Sequence, residues 1–193
     1  MCYKTTTAHI DCKEDNIKNV SLLMIHCRGL CEQDYWGRTP LHLAIIYKSQ
    51  ATLKIFQNAL QKEISPQNLK NNNNINKNLK FIKNLKKLFK IYDHDGDTIL
   101  HKAVKYNLTK IVEFLLKFCK KFNINVNNYE VLGSGDSILH LAIVENLLKM
   151  TKIIIEINPS LRYVRNYAGN LPQDAKNLSM EMQMLFLESG EAK

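Results

Sequence analysis

The sequence lacks any long hydrophobic run. Its longest apolar stretches, such as residues 41–46 and 153–157, are far shorter than the roughly 20 residues of a transmembrane helix. Residues 1–15 also lack the apolar core of a secretory signal peptide. We therefore expect no transmembrane segment and no secretory route.

The cysteines do not form a disulfide pattern. There are five of them, an odd number at irregular spacing, whereas secreted disulfide frameworks use even numbers. Neither the group Cys2, His9 and Cys12 nor the pair Cys27 and Cys31 supplies the two cysteine knuckles of a structural zinc site. The sequence therefore predicts no metal site and a reducing compartment, the cytoplasm or the nucleus.

Acidic residues are missing between Glu63 and Asp93, where lysines are most crowded. The whole chain has 27 Lys and Arg against 18 Asp and Glu, a formal net charge of +9. A basic chain attracts polyanions at long range, but here the excess is concentrated in one segment. Hydrophobic residues make up 45% of the 193, which is enough for the core of one ordinary domain.

Known catalytic motifs are also missing. The sequence contains no G-x-S-x-G, P-loop, G-x-G-x-x-G or H-E-x-x-H pattern. Scattered serines, histidines and aspartates occur in any fold and are not evidence of an active site. We therefore predict that the protein has no catalytic residues and needs no cofactor.

The sequence does contain a seven-residue motif in three copies. They read TPLHLAI at residues 39–45, TILHKAV at 98–104 and SILHLAI at 137–143. A glycine lies two positions before each copy, at Gly37, Gly96 and Gly135. Recurrence of one unit along the chain is the signature of a repeat architecture.

Each position of the motif has a physical role. The glycine permits the positive φ of a tight turn, and the Thr or Ser after it can cap a helix. Pro40 suits the first helical position, while Leu100 and Ala103 are spaced to pack against a neighbouring unit. The predicted structural positions are Gly37, Thr39, Pro40, His42, Gly96, Thr98, His101, Gly135, Ser137, His140 and Gly169.

This unit resembles the ankyrin repeat. The resemblance implies an all-α fold, an ankyrin-repeat solenoid of helix-turn-helix units with short hairpin tips, and a function in binding another protein. In that family the histidine ties the start of the helix to the neighbouring turn. We therefore interpret His42, His101 and His140 as structural and not as a catalytic or metal-binding set.

We predict a single ankyrin domain over residues 1–193. Apolar residues at helical spacing indicate a second helix after each copy of the motif, around Leu53, Val112 and Ile154. Near the C-terminus Leu171 stands in place of the capping threonine and Asp174 in place of the histidine. The predicted segments are an N-terminal partial repeat or cap (1–33), a repeat (34–62), a lysine-rich insertion with a helix (63–92), two repeats (93–132 and 133–165) and a C-terminal capping repeat (166–193).

Both terminal segments are expected to contain a helix. The first is indicated by the helical spacing of Ile17, Val20, Leu23 and Met24. The closing helix is indicated by Met180, Met184, Leu185 and Leu187. Terminal repeats need atypical sequences because one face of each has no neighbouring repeat.

The lysine-rich insertion predicts a basic amphipathic helix over residues 78–92, beside the asparagine run 71–74. One interpretation is an inserted helix that buries its apolar face and leaves its lysines solvated. The others are capture by a calmodulin-like protein, an acidic partner, a membrane surface, nuclear import or nucleic acid. The first is favoured because the apolar stripe needs burial in every case.

The hairpin tips are the predicted partner-binding surface, because in ankyrin proteins the tips and inner helices line a concave face. Trp36 is the only tryptophan, and aromatic and arginine residues are enriched at the centres of protein interfaces. The same residues could equally be ordinary solvated surface. The candidates are Asp34, Tyr35, Trp36, Arg38, Asp93, His94, Asp95, Asp97, Ser134, Asp136, Arg165 and Tyr167.

The Gly-Asp-Thr/Ser openings at Gly96 and Gly135 resemble repeats of the inhibitor-of-kappa-B family. The chain has no Asp-Ser-Gly degron and no acidic tail, and so looks like the truncated ankyrin proteins of viruses and parasites. The resemblance implies constitutive capture of a host Rel-type transcription factor and suppression of immune signalling. The acidic contacts to a basic import signal would come from Asp93, Asp95, Asp97 and Asp136. The alternatives are a generic ankyrin adaptor, or a binder of nucleic acid or an anionic surface through the helix from Lys77 to Lys90.

Overall fold

The computed structural model describes residues 5–26, 29–64, 75–126, 131, 133–175 and 178–188. In that part of the chain every regular element is a helix, which confirms the predicted all-α class. The α-helices are α1 (Thr7–Lys13), α2 (Ile17–His26), α3 (Pro40–Ile46), α4 (Gln50–Ile64), α5 (Ile75–Leu88), α6 (Ile99–Lys105), α7 (Thr109–Lys121), α8 (Ile138–Val144), α9 (Leu148–Ile157) and α10 (Met180–Glu188). Two short 3-10 helices span Pro159–Tyr163 and Pro172–Asp174. Among these elements none has the length and apolar content that crossing a bilayer requires.

The chain divides into two compact units, Met1–Ile99 and Leu100–Lys193. In the first unit, α1 packs on α3 and α2 packs on α4, so first helices contact first helices and second helices contact second helices. In the second unit, α9 packs on both α7 and α8. The segment boundaries set out above stay predictions.

The same turn joins the two helices in each of four pairs. One residue of the turn has a left-handed backbone, with φ between 52° and 62°, and these residues are Asp15, Lys48, Asn107 and Asn146. The amide of the next residue donates to a carbonyl five positions back, at 2.8–2.9 Å in all four turns. Asn and Asp tolerate this conformation better than most residues. The four pairs, α1–α2, α3–α4, α6–α7 and α8–α9, therefore share one local geometry.

The N-terminal segment contains a complete helix pair. The sequence predicts only the second helix there, which the structure confirms as α2. The structure adds α1, and the residues that start it, Thr6 and His9, have the same spacing as Thr39 and His42. The apolar positions of the motif are weak in this copy, so its spacing alone did not reveal the helix.

The first pair is joined to the second by hydrogen bonds at the start of α4. The Asp15 carboxylate accepts bonds from the amides of Ala51 at 3.0 Å and Thr52 at 2.6 Å. Ser49 Oγ donates to the carbonyl of Lys13 at 3.0 Å. Partial burial alone would raise the pKa of Asp15, but hydrogen bonds from Thr52 and Ala51 hold it below its ordinary value. A residue of one repeat therefore completes the first turn of a helix in the next.

The motif leucines and alanines form the core of both units. Leu100 and Leu139 are fully buried, and so are Ala44, Ala103 and Ala142. Burying a leucine side chain contributes about 1.5–3 kcal/mol. The alanines leave little side chain between neighbouring helices, which permits close packing.

The lysine-rich insertion contains α5, which begins at Ile75, earlier than predicted, and ends at Leu88. Leu85, Leu88 and Phe89 are fully buried, and Cys31 Sγ donates to the Asn84 carbonyl at 3.4 Å. The burial supports the interpretation of an inserted helix that packs its apolar face. The asparagine run 71–74 and the candidate ligands Cys2 and Cys27 lie outside the described residues.

The closing helix α10 exists as predicted, but its apolar residues do not face the core as a group. Met180, Met184 and Leu187 are 79%, 51% and 71% exposed, whereas Met182 is buried. Arg162 packs over the Phe186 ring at 5.1 Å and donates to its carbonyl at 2.6 Å. These contacts fix the rotation of α10 about its axis, which the spacing of its apolar residues does not determine.

Candidate partner-binding site at the repeat tips

Histidines tie the first helices to the tips that follow them. Thr39 N donates to His42 Nδ1 at 3.1 Å, and Ser137 N donates to His140 Nδ1 at 3.1 Å. Because Nδ1 accepts, the proton of the neutral ring is on Nε2, which donates to a backbone carbonyl. The acceptors for His9, His42 and His140 are the carbonyls of Arg38, Asp97 and Asn170, at 2.9, 3.3 and 3.1 Å.

These bonds leave the rings of His42 and His140 no free nitrogen with which to bind a metal or transfer a proton. Both nitrogens of His42 and His140 are engaged with the backbone. His101 is fully buried, as is Thr98 three positions before it. His9, His42 and His140 therefore position the tips.

The repeat motif does not predict the histidine of the first pair. His9 is fully buried, and Thr6 N donates to its Nδ1 at 3.2 Å. Thr6 lies 33 residues before Thr39, which is one ankyrin period. That spacing indicates a repeat at Thr6. The repeat is hard to recognise because Ala8 and Asp11 replace the leucine and the alanine of the motif.

Asp34 organises the first tip from inside. The sequence places it on an exposed tip, but its side chain is fully buried. One carboxylate oxygen accepts bonds from the amides of Trp36 and Arg38 at 2.9 Å, and the other pairs with the Arg38 guanidinium at 2.7 Å. Burial alone would raise the pKa of Asp34, but the bonds from Arg38 and Trp36 hold it below its ordinary value. Asp34 is thus a support for the tip and is not free to contact a partner.

The second tip is built the same way. Asp93 Oδ1 accepts bonds from the amides of Asp95 and Asp97 at 3.0 Å, and both Asp93 and Asp97 are buried. In this tip the expected acidic surface is therefore reduced to Asp95, which is exposed beside the exposed His94. The three carboxylates lie within 4.8 Å of one another. An acidic cluster of this kind does not by itself define a metal site.

In the first unit two successive tips form one surface. His94 N donates to the Trp36 carbonyl at 2.9 Å. A Cβ at Gly37, where φ is +73°, would lie 2.8 Å from the His94 ring, so this position requires glycine for two reasons. Tyr35 and Trp36 are 65% and 56% exposed and contact edge to face, with ring centroids 5.5 Å apart. These two tips therefore share a fixed backbone. We call their exposed residues the first tip surface: Tyr35, Trp36, His94 and Asp95.

In the second unit two other tips meet. Tyr167 N donates to the Ser134 carbonyl at 3.0 Å, and Asn166 Nδ2 donates to Asp136 Oδ1 at 2.8 Å. Tyr167 and Ser134 are exposed, whereas Asp136 is half-buried by its bond. Arg165 is exposed and donates to the carbonyl of Gly169 at 2.6 Å. Ser134, Arg165 and Tyr167 form the second tip surface.

Asn166 and Asp174 replace motif residues at the last tip. Asn166 Oδ1 accepts bonds from the amides of Ala168 and Asn170 at 3.1 and 3.0 Å, as Asp34 does in the first tip. The Leu171 amide donates to Asp174 Oδ2 at 2.7 Å, where the other repeats use a histidine. The structure thus places Asp174 in the expected position, on a 3-10 helix.

Comparison with known protein families agrees with this geometry. A family model described as ankyrin repeats (3 copies) matches residues 68–163, which include α5 and all of α6 to α9. The motif at 39–45 lies outside that range, but it has the same histidine tie and the same turn. A search of curated proteins finds no match. Ankyrin repeats imply a protein partner, and proteins built from them are generally non-catalytic adaptors. The chain is an ankyrin-repeat protein.

Proposed function

We propose that this protein is a non-catalytic scaffold that binds a protein partner through its tip surfaces. The observation that carries the proposal is the exposed pair Tyr35 and Trp36 on a backbone fixed by Asp34. Exposed tyrosine and tryptophan supply large apolar area, and such residues dominate the binding energy of many interfaces. A fixed backbone loses little conformational entropy when a partner docks.

The cysteines support both a non-catalytic role and a reducing compartment. Cys12, Cys31 and Cys119 are free thiols in the described part of the chain. Burial raises the pKa of Cys12 to about 12, and it also raises the pKa of Cys119. Buried thiols of this kind are poor nucleophiles at neutral pH. We propose a cytoplasmic or nuclear location on these grounds.

The specific partner we propose is a Rel-type transcription factor of a host cell, held constitutively by an inhibitor-of-kappa-B-like surface. The support is the Gly-Asp-Thr/Ser opening at Gly96 and Gly135 and the exposed aromatic tip. Because Asp93 and Asp97 are buried, contact with a basic import signal would depend on the exposed Asp95 and the half-buried Asp136. The alternative is a generic adaptor that uses the same tip surfaces for another protein.

The test is a binding measurement against purified Rel homology domains. The double change Tyr35→Ala and Trp36→Ala removes the exposed pair, and we expect binding to weaken by roughly 30-fold or more, about 2 kcal/mol. The matched control is Tyr47→Ala, an aromatic residue in the same unit that is 51% exposed at the end of α3. Asp95→Lys should weaken binding without affecting the fold, because Asp95 is exposed.

The results test the binding surface and the identity of the partner separately. Equal losses in the tip variant and in Tyr47→Ala would contradict the assignment of the surface. Absence of Rel binding in the unmodified protein would contradict the Rel assignment and leave the adaptor alternative. Circular dichroism of each variant shows whether the helices are retained.

A further inference from the structure

The helix α5 carries a row of lysines on one face. Lys83, Lys86, Lys87 and Lys90 are spaced i, i+3, i+4 and i+7, which places them on one side of a helix. All four are exposed. Lys90 lies in the turn that ends the helix, where its amide donates to the Lys87 carbonyl at 2.9 Å. We call these four residues the lysine face.

The opposite side of α5 is already used by the fold. Leu85, Leu88 and Phe89 are fully buried in the first unit. Capture of this helix by a calmodulin-like groove, or its insertion into a membrane, would need that apolar side. Among the side chains described on α5, from residue 82 onward, the lysine face is therefore the part available to a partner.

The charge of the lysine face is not neutralised within the described residues. No ion pair there joins any of the four lysines to a carboxylate, whereas on α7 Lys117 pairs with Glu113 at 2.6 Å. Neighbouring lysines at this spacing repel one another by a few tenths of a kcal/mol per pair. A bound polyanion would remove that repulsion.

We propose that the lysine face binds the phosphate backbone of nucleic acid without regard to base sequence. A protein interface needs buried apolar or aromatic residues at its centre, and between residues 82 and 92 no large hydrophobic side chain is exposed. A polyphosphate needs only positive charge, because release of its condensed counterions supplies the affinity. Nucleic acid therefore fits this surface better than an acidic protein does.

The proposal predicts a specific salt dependence. If all four lysines contact phosphates of duplex DNA, the logarithm of the binding constant falls against the logarithm of salt concentration with a slope of about −3.6. Each lysine that is replaced should reduce the slope by about 0.9. Binding should be insensitive to the base sequence, since phosphate contacts carry no sequence information.

The experiment measures fluorescence anisotropy of a short labelled duplex DNA with the full chain at several salt concentrations. The test variant carries Lys83→Gln, Lys86→Gln, Lys87→Gln and Lys90→Gln. The control carries Lys110→Gln, Lys117→Gln, Lys120→Gln and Lys121→Gln, which removes the same charge from α7, where all four are exposed. We expect the test variant to bind at least tenfold more weakly with a slope near zero, and the control to bind like the unmodified protein.

Three results would overturn the proposal. Equal weakening in both variants would show that net charge alone attracts DNA. Competition by polyglutamate as strong as that by DNA of equal charge would indicate an acidic protein partner. If the fourfold variant unfolds, the four single variants replace it, and unchanged slopes in all of them would also refute the lysine face. Tip-surface binding should be unaffected by the lysine changes, so failure of one proposal does not imply failure of the other.

Discussion

The tip glycine Gly135 lies directly against Tyr167 of the next tip. A Cβ at Gly135 would be 2.6 Å from Tyr167 Cγ and 2.7 Å from its backbone nitrogen, which cannot rotate away. Gly169 occupies the same place in the following tip with φ +81°, but among the described residues nothing lies within 4 Å of its Cβ position. The two glycines share a backbone conformation and differ in their surroundings.

This difference predicts unequal effects of alanine. Gly169→Ala should destabilise the protein by about 1 kcal/mol, the strain of a left-handed alanine. Gly135→Ala should add about 1–3 kcal/mol more, because the backbone of the next tip has to move. Urea denaturation of both variants measures the difference. Equal losses would show that the tips do not contact each other as described.

The buried histidine of the first helix pair provides a second prediction. His9→Phe keeps an aromatic ring in this position but removes both ring nitrogens, which leaves Thr6 N and the Arg38 carbonyl without their partner. We expect a loss of about 3 kcal/mol, since each unpaired buried group costs about 1–3 kcal/mol. The control is Ile10→Ala, whose side chain is 44% exposed on the same helix. A negligible effect of His9→Phe on the unfolding midpoint would mean that α1 is not part of the cooperative fold.

The tip carboxylate Asp34 predicts a pH dependence. Its pKa is lower in the folded protein than in the unfolded chain, so its stabilisation is complete above the unfolded value of about 3.9 and is lost as pH falls through the folded pKa. Asp34→Asn should therefore reduce the free energy of unfolding at neutral pH by about 1–2 kcal/mol. The difference from the unmodified protein should shrink below about pH 4. Denaturation at several pH values, with the exposed Glu145→Gln as control, checks this; a constant difference would contradict it.

The core of the second unit predicts different effects for a buried and an exposed residue of the same helix. Leu139 is fully buried in α8, while Val144 at the end of the same helix is 69% exposed. Leu139→Ala should cost about 2–5 kcal/mol because it leaves a cavity, and Val144→Ala should change stability by less than about 0.5 kcal/mol. Chemical denaturation followed by circular dichroism measures both. Similar effects would be inconsistent with the packing of this motif.

The repeat motif predicted most of the fold because the residues of the motif that start each helix act within their own turn or helix. A capping hydroxyl and a leucine at helical spacing start α3 and α8, and these requirements are visible in the sequence around Thr39 and Ser137. The helix α1 was missed because Ala8 and Asp11 replaced the apolar letters while the threonine and histidine remained. In this copy the sequence keeps the capping threonine and the histidine, while the apolar positions of the motif are occupied by smaller or polar residues.

The exposure of the tip residues was predicted less well than the helices. Whether a polar side chain is buried depends on the path of the backbone and on contacts with residues distant in sequence. Asp34, Asp93 and Asp97 read as surface residues, but two of them bind backbone amides of their own turns and all three are enclosed. Trp36 was correctly placed on an exposed tip. The sequence also does not predict the rotation of α10 about its axis, because Met180 and Met182 are equally apolar and only Met182 is buried.

The bond from Asp15 to the start of α4 limits how this protein can be shortened. The helix pair α3–α4 takes the acceptor for two of its amides from the preceding pair. A fragment that began at the first tip would keep Ser49 but expose the amides of Ala51 and Thr52 to water. Any minimal version built from α3 onward would therefore have to carry its own carboxylate at that helix end.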